Sequence, residues 1–183
     1  RAKKSRDHTE NIFKHLGIPI IVKKNKYSDI IKIKGQIFFK SFKYKVPSDP
    51  SSCAFFIMLT LLSKNCELKI KNVNINHSRI GYIKILNKMG AKIKIKNIKT
   101  RYGEKQADIY VKSQPTLKKI KCPPSLNSNL IDEFLIIFLA AARAKGVSKF
   151  SDLGELNKKE SPRLKLGSQI LNQLGIKTKL TKD

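Results

Sequence analysis

The alternation of apolar and polar positions carries one passage three times. Ile12-Phe13-Lys14-His15-Leu16-Gly17, Ile85-Leu86-Asn87-Lys88-Met89-Gly90 and Ile170-Leu171-Asn172-Gln173-Leu174-Gly175 each end a stretch of helical apolar spacing on a glycine. Glycine is the residue that best tolerates the left-handed position just past a helix C-terminus. Upstream of each passage stand a serine and an arginine: Ser5-Arg6, Ser78-Arg79 and Ser161-Pro162-Arg163, with Arg-to-Gly separations of 11, 11 and 12 residues. The spacing predicts three helices, each opened by a serine cap and carrying arginine in its first turn.

Strand-like stretches follow each glycine, at Ile18–Lys24, Ala91–Lys96 and Ile176–Leu180. In the first two copies a second strand, Asp29–Lys34 or Asp108–Lys112, completes a hairpin. A third, Phe42–Val46 or Lys118–Cys122, runs into proline. Apolar helices are predicted at Cys53–Leu62 and Ile131–Ala144, and further strands at Glu67–Val73 and Val147–Leu153. Read cyclically, the unit is β-α-β-α-β-β, so the fold class is α/β. Its glycine periods of 73 and 85 residues exceed the roughly 20–50 of solenoid repeats. Residue 1 falls just before a repeat helix and residue 183 after one strand of a third hairpin. An unpaired strand edge is a liability, so the expectation is a fragment cut at both ends.

Composition changes this picture little. The formal net charge is +26, with 33 lysines and only 6 arginines. Lys, Ile and Asn are 69 of the 183 residues, and all three have A/T-rich codons. Lysine alternates with isoleucine in Ile31–Lys34 and Lys92–Lys96, which is the pattern of a solvated strand face. Nucleic-acid binders more often cluster their charge and use arginine, so a basic nucleic-acid-binding module is kept only as an alternative. The longest apolar run, Phe134–Ala142, has nine residues against the roughly 20 that span a bilayer. Cys53, Cys66 and Cys122 form neither a metal spacing nor an even set, and His8, His15 and His77 form no metal motif. No cofactor, no metal, no membrane and a cytoplasmic setting are the expectations.

Candidate chemistry is sparse. Three of six arginines occupy one place in the repeat, and helix N-termini are ready anion sites that arginine strengthens. A cation there otherwise merely faces solvent, against the dipole. Asp132-Glu133, ahead of the apolar run, reads either as a helix-start carboxylate pair or as a general acid/base. Lys158-Lys159-Glu160-Ser161 reads by itself as a charged loop, and Pro47–Ser52 as a turn and helix cap.

At these residues the sequence resembles the 5-enolpyruvylshikimate-3-phosphate synthase family. The resemblance lies in Ser5-Arg6-Asp7-His8-Thr9-Glu10, Asp49-Pro50-Ser51-Ser52, Asn76–Gly81 followed by Lys88–Ala91, Ile131-Asp132-Glu133, and Lys159-Glu160-Ser161 with Arg163-Leu164. It runs in order along essentially the whole chain. It implies an inside-out α/β barrel built from repeated β-α-β-α-β-β units in two domains, with residues 1–46 ending the first and 47–183 forming most of the second. Pro47–Ser52 would be the crossover hinge.

The activity implied is transfer of the enolpyruvyl group from phosphoenolpyruvate to the 5-hydroxyl of shikimate 3-phosphate with release of phosphate. No metal or organic cofactor takes part, and the full-length protein is expected to be a monomer. By the resemblance, Asp132 contacts that hydroxyl and acts as base, and Glu160 moves a proton at the methylene carbon of phosphoenolpyruvate. Lys159 and Arg6 contact shikimate 3-phosphate, and Arg163 binds phosphoenolpyruvate. Two positions depart from the family pattern: Pro162 stands where aspartate is usual, and His77 where proline is common. Family motifs before and after this stretch are absent, so the 183 residues alone are expected to be inactive. A UDP-N-acetylglucosamine enolpyruvyl transferase shares fold and chemistry, but that family lacks the Lys-Glu-Ser/Thr-x-Arg motif.

Overall fold

A computed structural model describes residues 2–3, 6–35, 38 and 40–181. Eight strands and five α-helices occur among them. The chain begins with β1 (Ala2–Lys3), α1 (His8–His15), β2 (Ile20–Lys24) and β3 (Ser28–Ile33). The three strands form an antiparallel sheet in the order β1-β3-β2, with Ile20 opposite Ile33 and Lys24 opposite Asp29. Next come α2 (Pro50–Leu62), β4 (Glu67–Asn74), α3 (Gly81–Lys88), β5 (Lys94–Arg101) and β6 (Glu104–Lys112). These strands make a second antiparallel sheet, β4-β6-β5. The last part contains β7 (Leu117–Lys118), a 3-10 turn at Pro124–Asn129, α4 (Phe134–Ala142), β8 (Ala144–Lys145), a second 3-10 turn at Gly154–Lys158 and α5 (Arg163–Gln173). Strands β7 and β8 pair in parallel.

The core lies where α2, α3 and α4 meet the inner face of the second sheet. Ile57, Met58, Leu61, Tyr82, Ile85, Leu86, Ile109, Phe134 and Ile137 are all essentially inaccessible there. Helices α2 and α4 are apolar around nearly their whole circumference, and beyond the core face Phe55, Phe56 and Leu59 of α2 and Leu135 and Leu139 of α4 stay exposed. The Tyr82 hydroxyl, buried among them, donates to the Pro50 carbonyl at 3.0 Å. A close approach explains Gly81, where a Cβ would meet the backbone and Cβ of Asn129 at 2.8–2.9 Å. No helix of the described residues is long and apolar enough to cross a membrane.

The repeat reading survives in outline. All three helices end before a glycine in the left-handed region, Gly17 (φ 74°), Gly90 (φ 100°) and Gly175 (φ 79°). Two of the three serine caps do not survive. Ser5 lies outside the described residues. The Ser78 hydroxyl donates to Asn76 Oδ1 at 2.8 Å, because that side chain already organises the turn before α3. No side chain caps α5, where Pro162 precedes the first helical residue. Arg163 does open α5, but Arg6 and Arg79 stand two residues ahead of α1 and α3.

Some strands also fall short. Residues 42–46 and 176–180 are irregular, since a strand needs a neighbour to complete its hydrogen bonds. Around 178 the bonds go instead to α5, with the Thr178 amide donating to Asn172 Oδ1 at 2.9 Å. The segment 147–153 contributes only a bridge, Lys149 to Lys121. The Lys-Ile alternation reads correctly at Lys92–Lys96, where Ile93 is buried and the lysines are exposed. It misleads at Ile31–Lys34, where both faces are open and Ile33 is half exposed.

Candidate active site

The N-terminal ends of all five helices meet in one region. Asp132 and Glu133 immediately precede α4 and lie at the centre of it. Arg6, from the segment leading into α1, binds Asp132 Oδ2 through Nη2. Lys159 Nζ stands 3.6 Å from Asp132 Oδ1, and Arg163 Nη1, at the first residue of α5, stands 3.5 Å from the same oxygen. The other nitrogen of that guanidinium, Nη2, donates to Glu160 Oε2 at 2.8 Å. One planar fork therefore spans the carboxylates of Asp132 and Glu160. All five residues singled out in the sequence, Arg6, Asp132, Lys159, Glu160 and Arg163, are brought together.

The site is larger than those five. Asp49 caps α2 by accepting from the Ser52 amide at 2.7 Å. Its other oxygen, Oδ1, accepts from Arg79 Nη2 at 3.0 Å, and the same nitrogen donates to Ser51 Oγ at 2.8 Å. Ser51 Oγ in turn donates to Glu133 Oε1. Arg79, Asp49, Ser51 and Glu133 thus form a second tier beside Asp132. Arg79 was legible as the middle member of the three repeated arginines. Glu133 and Ser51 had no signal beyond adjacency, because a buried carboxyl-hydroxyl contact 82 residues apart leaves no local pattern.

The electrostatics are polarised. Partial burial pushes the Asp132 carboxyl up, but the Arg6 hydrogen bond and the charges of Arg6, Lys159 and Arg79 outweigh it and hold the pKa below the ordinary aspartate value. Glu133 goes the other way: burial dominates, the Asp132 charge adds to it, and the pKa is raised. Glu160 is lowered, by a bond to its own backbone and by the Arg163 charge. Its side chain is 80% exposed, so the site faces solvent on that side. Four cationic side chains and five helix N-termini converge here, and helix N-termini favour negative charge. The arrangement suits a small ligand with more than one anionic group. Asp132 stands among the cations as an ionised acceptor.

The two departures from the family pattern are accommodated. Pro162 sits just before α5 with φ −73°, the Arg163 amide donates to the Ser161 carbonyl at 2.7 Å, and the Arg163 side chain still reaches both acids. The His77 carbonyl accepts from Asn129 Nδ2 at 3.3 Å.

The sequence model of the family described as EPSP synthase (3-phosphoshikimate 1-carboxyvinyltransferase) matches residues 2–183. The chain belongs to the EPSP synthase family. A 3-phosphoshikimate 1-carboxyvinyltransferase of Thermodesulfovibrio yellowstonii is 38% identical over 180 residues, covering 98% of this chain and 41% of the relative. That of Ruthia magnifica is 41% identical over 179 residues, covering 98% and 40%. The solved EPSP synthase of Acinetobacter baumannii superimposes with a TM-score of 0.88 at 35% identity, over 99% of this chain and 40% of that one. The expected α/β fold of the enolpyruvyl transferase type is therefore the fold of this chain. The chain spans about 40% of the length of the curated relatives it matches.

Proposed function

We propose that the protein expressed from its whole reading frame transfers the enolpyruvyl group of phosphoenolpyruvate to the 5-hydroxyl of shikimate 3-phosphate and releases phosphate. Family membership supports the reaction. The observation that carries it to these residues is the Arg163 guanidinium, which bridges Asp132 and Glu160. It holds two acids side by side, where one can serve an attacking hydroxyl and the other a neighbouring carbon.

In this reading Asp132 accepts the hydroxyl proton as the oxygen attacks C2 of phosphoenolpyruvate, while a proton is delivered to its C3 methylene. Glu160 handles that proton. The tetrahedral intermediate then loses phosphate by cleavage of the C2–O bond, and C3 gives the proton back. Atoms balance as enol ether plus phosphate, without a redox step. Arg6 and Lys159 hold the 3-phosphate and Arg163 holds phosphoenolpyruvate, so developing charge meets groups already in place. Arriving phosphates would draw these cations away from Asp132 and restore its basicity at the moment it is needed. In the same reading residues 1–46 close one domain, 47–183 form most of a second, and Pro47–Ser52 joins them.

The test is phosphate release by that protein. The reading requires release only when phosphoenolpyruvate and shikimate 3-phosphate are both present. Release from phosphoenolpyruvate alone, or none from the pair, would refute it.

A further inference from the structure

Helix α1 follows directly on Arg6, yet none of its own residues is buried. An eight-residue helix is marginal by itself in water, so its position depends on what grips it. The grip comes from the far end of the second sheet. At the β5–β6 turn, Tyr102 (φ 54°) and Gly103 (φ 77°) form a two-residue hairpin loop with both central residues left-handed, which glycine suits. A Cβ on Gly103 would overlap the Asn11 carbonyl oxygen of α1. The Tyr102 ring meets His15 edge-on at 5.6 Å between centroids.

Next in the chain is Glu104, a carboxylate only 4% exposed. Its Oε1 faces His8 Nδ1 at 2.9 Å and accepts from Asn11 Nδ2 at 3.1 Å, both on α1. Its Oε2 accepts from Asn74 Nδ2 at 3.2 Å and Asn76 Nδ2 at 3.4 Å. Asn76 Nδ2 also donates to Asp7 Oδ1 at 2.6 Å, one residue from Arg6. His8, Asn11 and His15 lie on one face of the helix with Asp7 just ahead of it, and every one is held by the hairpin tip or by Asn76 just past β4.

We infer that the β5–β6 hairpin tip is a clasp for α1, with Glu104 as the positioning residue that sets Arg6 against Asp132. The inference rests on the proposed role of Arg6 toward an anionic substrate. A carboxylate is the one side chain here that can accept from four donors at once, so its replacement by an amide turns one acceptor edge into a donor facing Asn74 and Asn76. Loosening the clasp lowers the fraction of molecules with Arg6 in place. Apparent affinity falls by that fraction, while saturating substrate draws Arg6 back and preserves turnover.

The experiment compares Glu104→Gln with Glu104→Gln/Asn74→Asp in the protein from its whole reading frame. In the pair the new amide donates to a carboxylate at position 74. The single variant should exchange its α1 amide hydrogens about tenfold faster and raise KM for shikimate 3-phosphate about tenfold, with kcat within about twofold. The double variant should restore both. Unchanged exchange in α1, or no recovery in the double variant, overturns the clasp, because a merely structural lesion would not be repaired by exchanging donor and acceptor. If the parent protein shows no enolpyruvyl transfer, the functional reading fails, and the exchange measurements decide the clasp without it.

Discussion

Asp132→Asn separates the two things Asp132 does. Its carboxylate pairs with Arg6, Lys159 and Arg163, at distances up to 3.6 Å. The gross attraction of each such pair is about 4 kcal/mol at an effective dielectric of 20. Desolvation and exposure leave pairs of this kind roughly 0.2–1 kcal/mol net, and the Asp132 side chain is 26% exposed. An asparagine of the same shape releases the cations, so a phosphate no longer competes for them. Three pairs at that net worth give phosphorylated substrate up to about 3 kcal/mol, roughly a 150-fold gain in affinity. The chemistry moves oppositely. A positioned base is worth about 100- to 10,000-fold in rate, which is about 3–5 kcal/mol of barrier. The expected result is a kcat reduced at least about 100-fold with KM for shikimate 3-phosphate unchanged or lower. Steady-state phosphate release, with calorimetric titration of shikimate 3-phosphate, gives both numbers. A kcat within about threefold of the parent, or a tenfold rise in KM with kcat kept, would refute the assignment of Asp132 as base.

Three further outcomes follow from the geometry. Arg163→Lys replaces a fork that spans Asp132 and Glu160 with a single point charge, so KM for phosphoenolpyruvate should rise at least about tenfold; an unchanged KM would argue that the bridge is incidental. Glu133→Gln keeps the acceptor for Ser51 and removes a charge whose burial raises its pKa. The folded state therefore binds the Glu133 proton more tightly than the unfolded chain does, and its ionisation costs stability as pH rises through the folded pKa. The variant should melt higher than the parent at pH 7 and equally below about pH 4, and a lower melting temperature at pH 7 would contradict this. Gly81→Ala drives a methyl into Asn129 and should cost roughly 1–3 kcal/mol in chemical denaturation, whereas a neutral result would mean that the Pro124–Asn129 turn yields freely.

What could be read in advance follows the range of the interactions involved. Glycine-terminated helices and the apolar bodies of α2 and α4 are local matters, and they stand where periodicity put them. The serine caps failed at Ser78 because Asn76, two residues away, competes for the same groups. Strands at 42–46 and 176–180 failed because pattern reports a face, not a partner. The five site residues were legible through motifs that resemble a family, and through the repeated arginine. Composition said nothing of them, because the lysines behind the +26 charge are spread along the whole chain, and fewer than half of those described stand in strands. Glu104 escaped notice altogether. Nothing near it in sequence marks a buried carboxylate, and its partners at positions 8 and 11 lie more than 90 residues away.

Enolpyruvyl transfer is read most directly from where the enolpyruvyl carbons go. Phosphoenolpyruvate labelled with carbon-13 at C2 and C3, shikimate 3-phosphate and UDP-N-acetylglucosamine can be offered together to the protein from its whole reading frame, and the products followed by NMR. The label should appear in an enol ether on the 5-oxygen of shikimate 3-phosphate, with one phosphate released per transfer. Label in free pyruvate, or on the UDP-sugar, would contradict it.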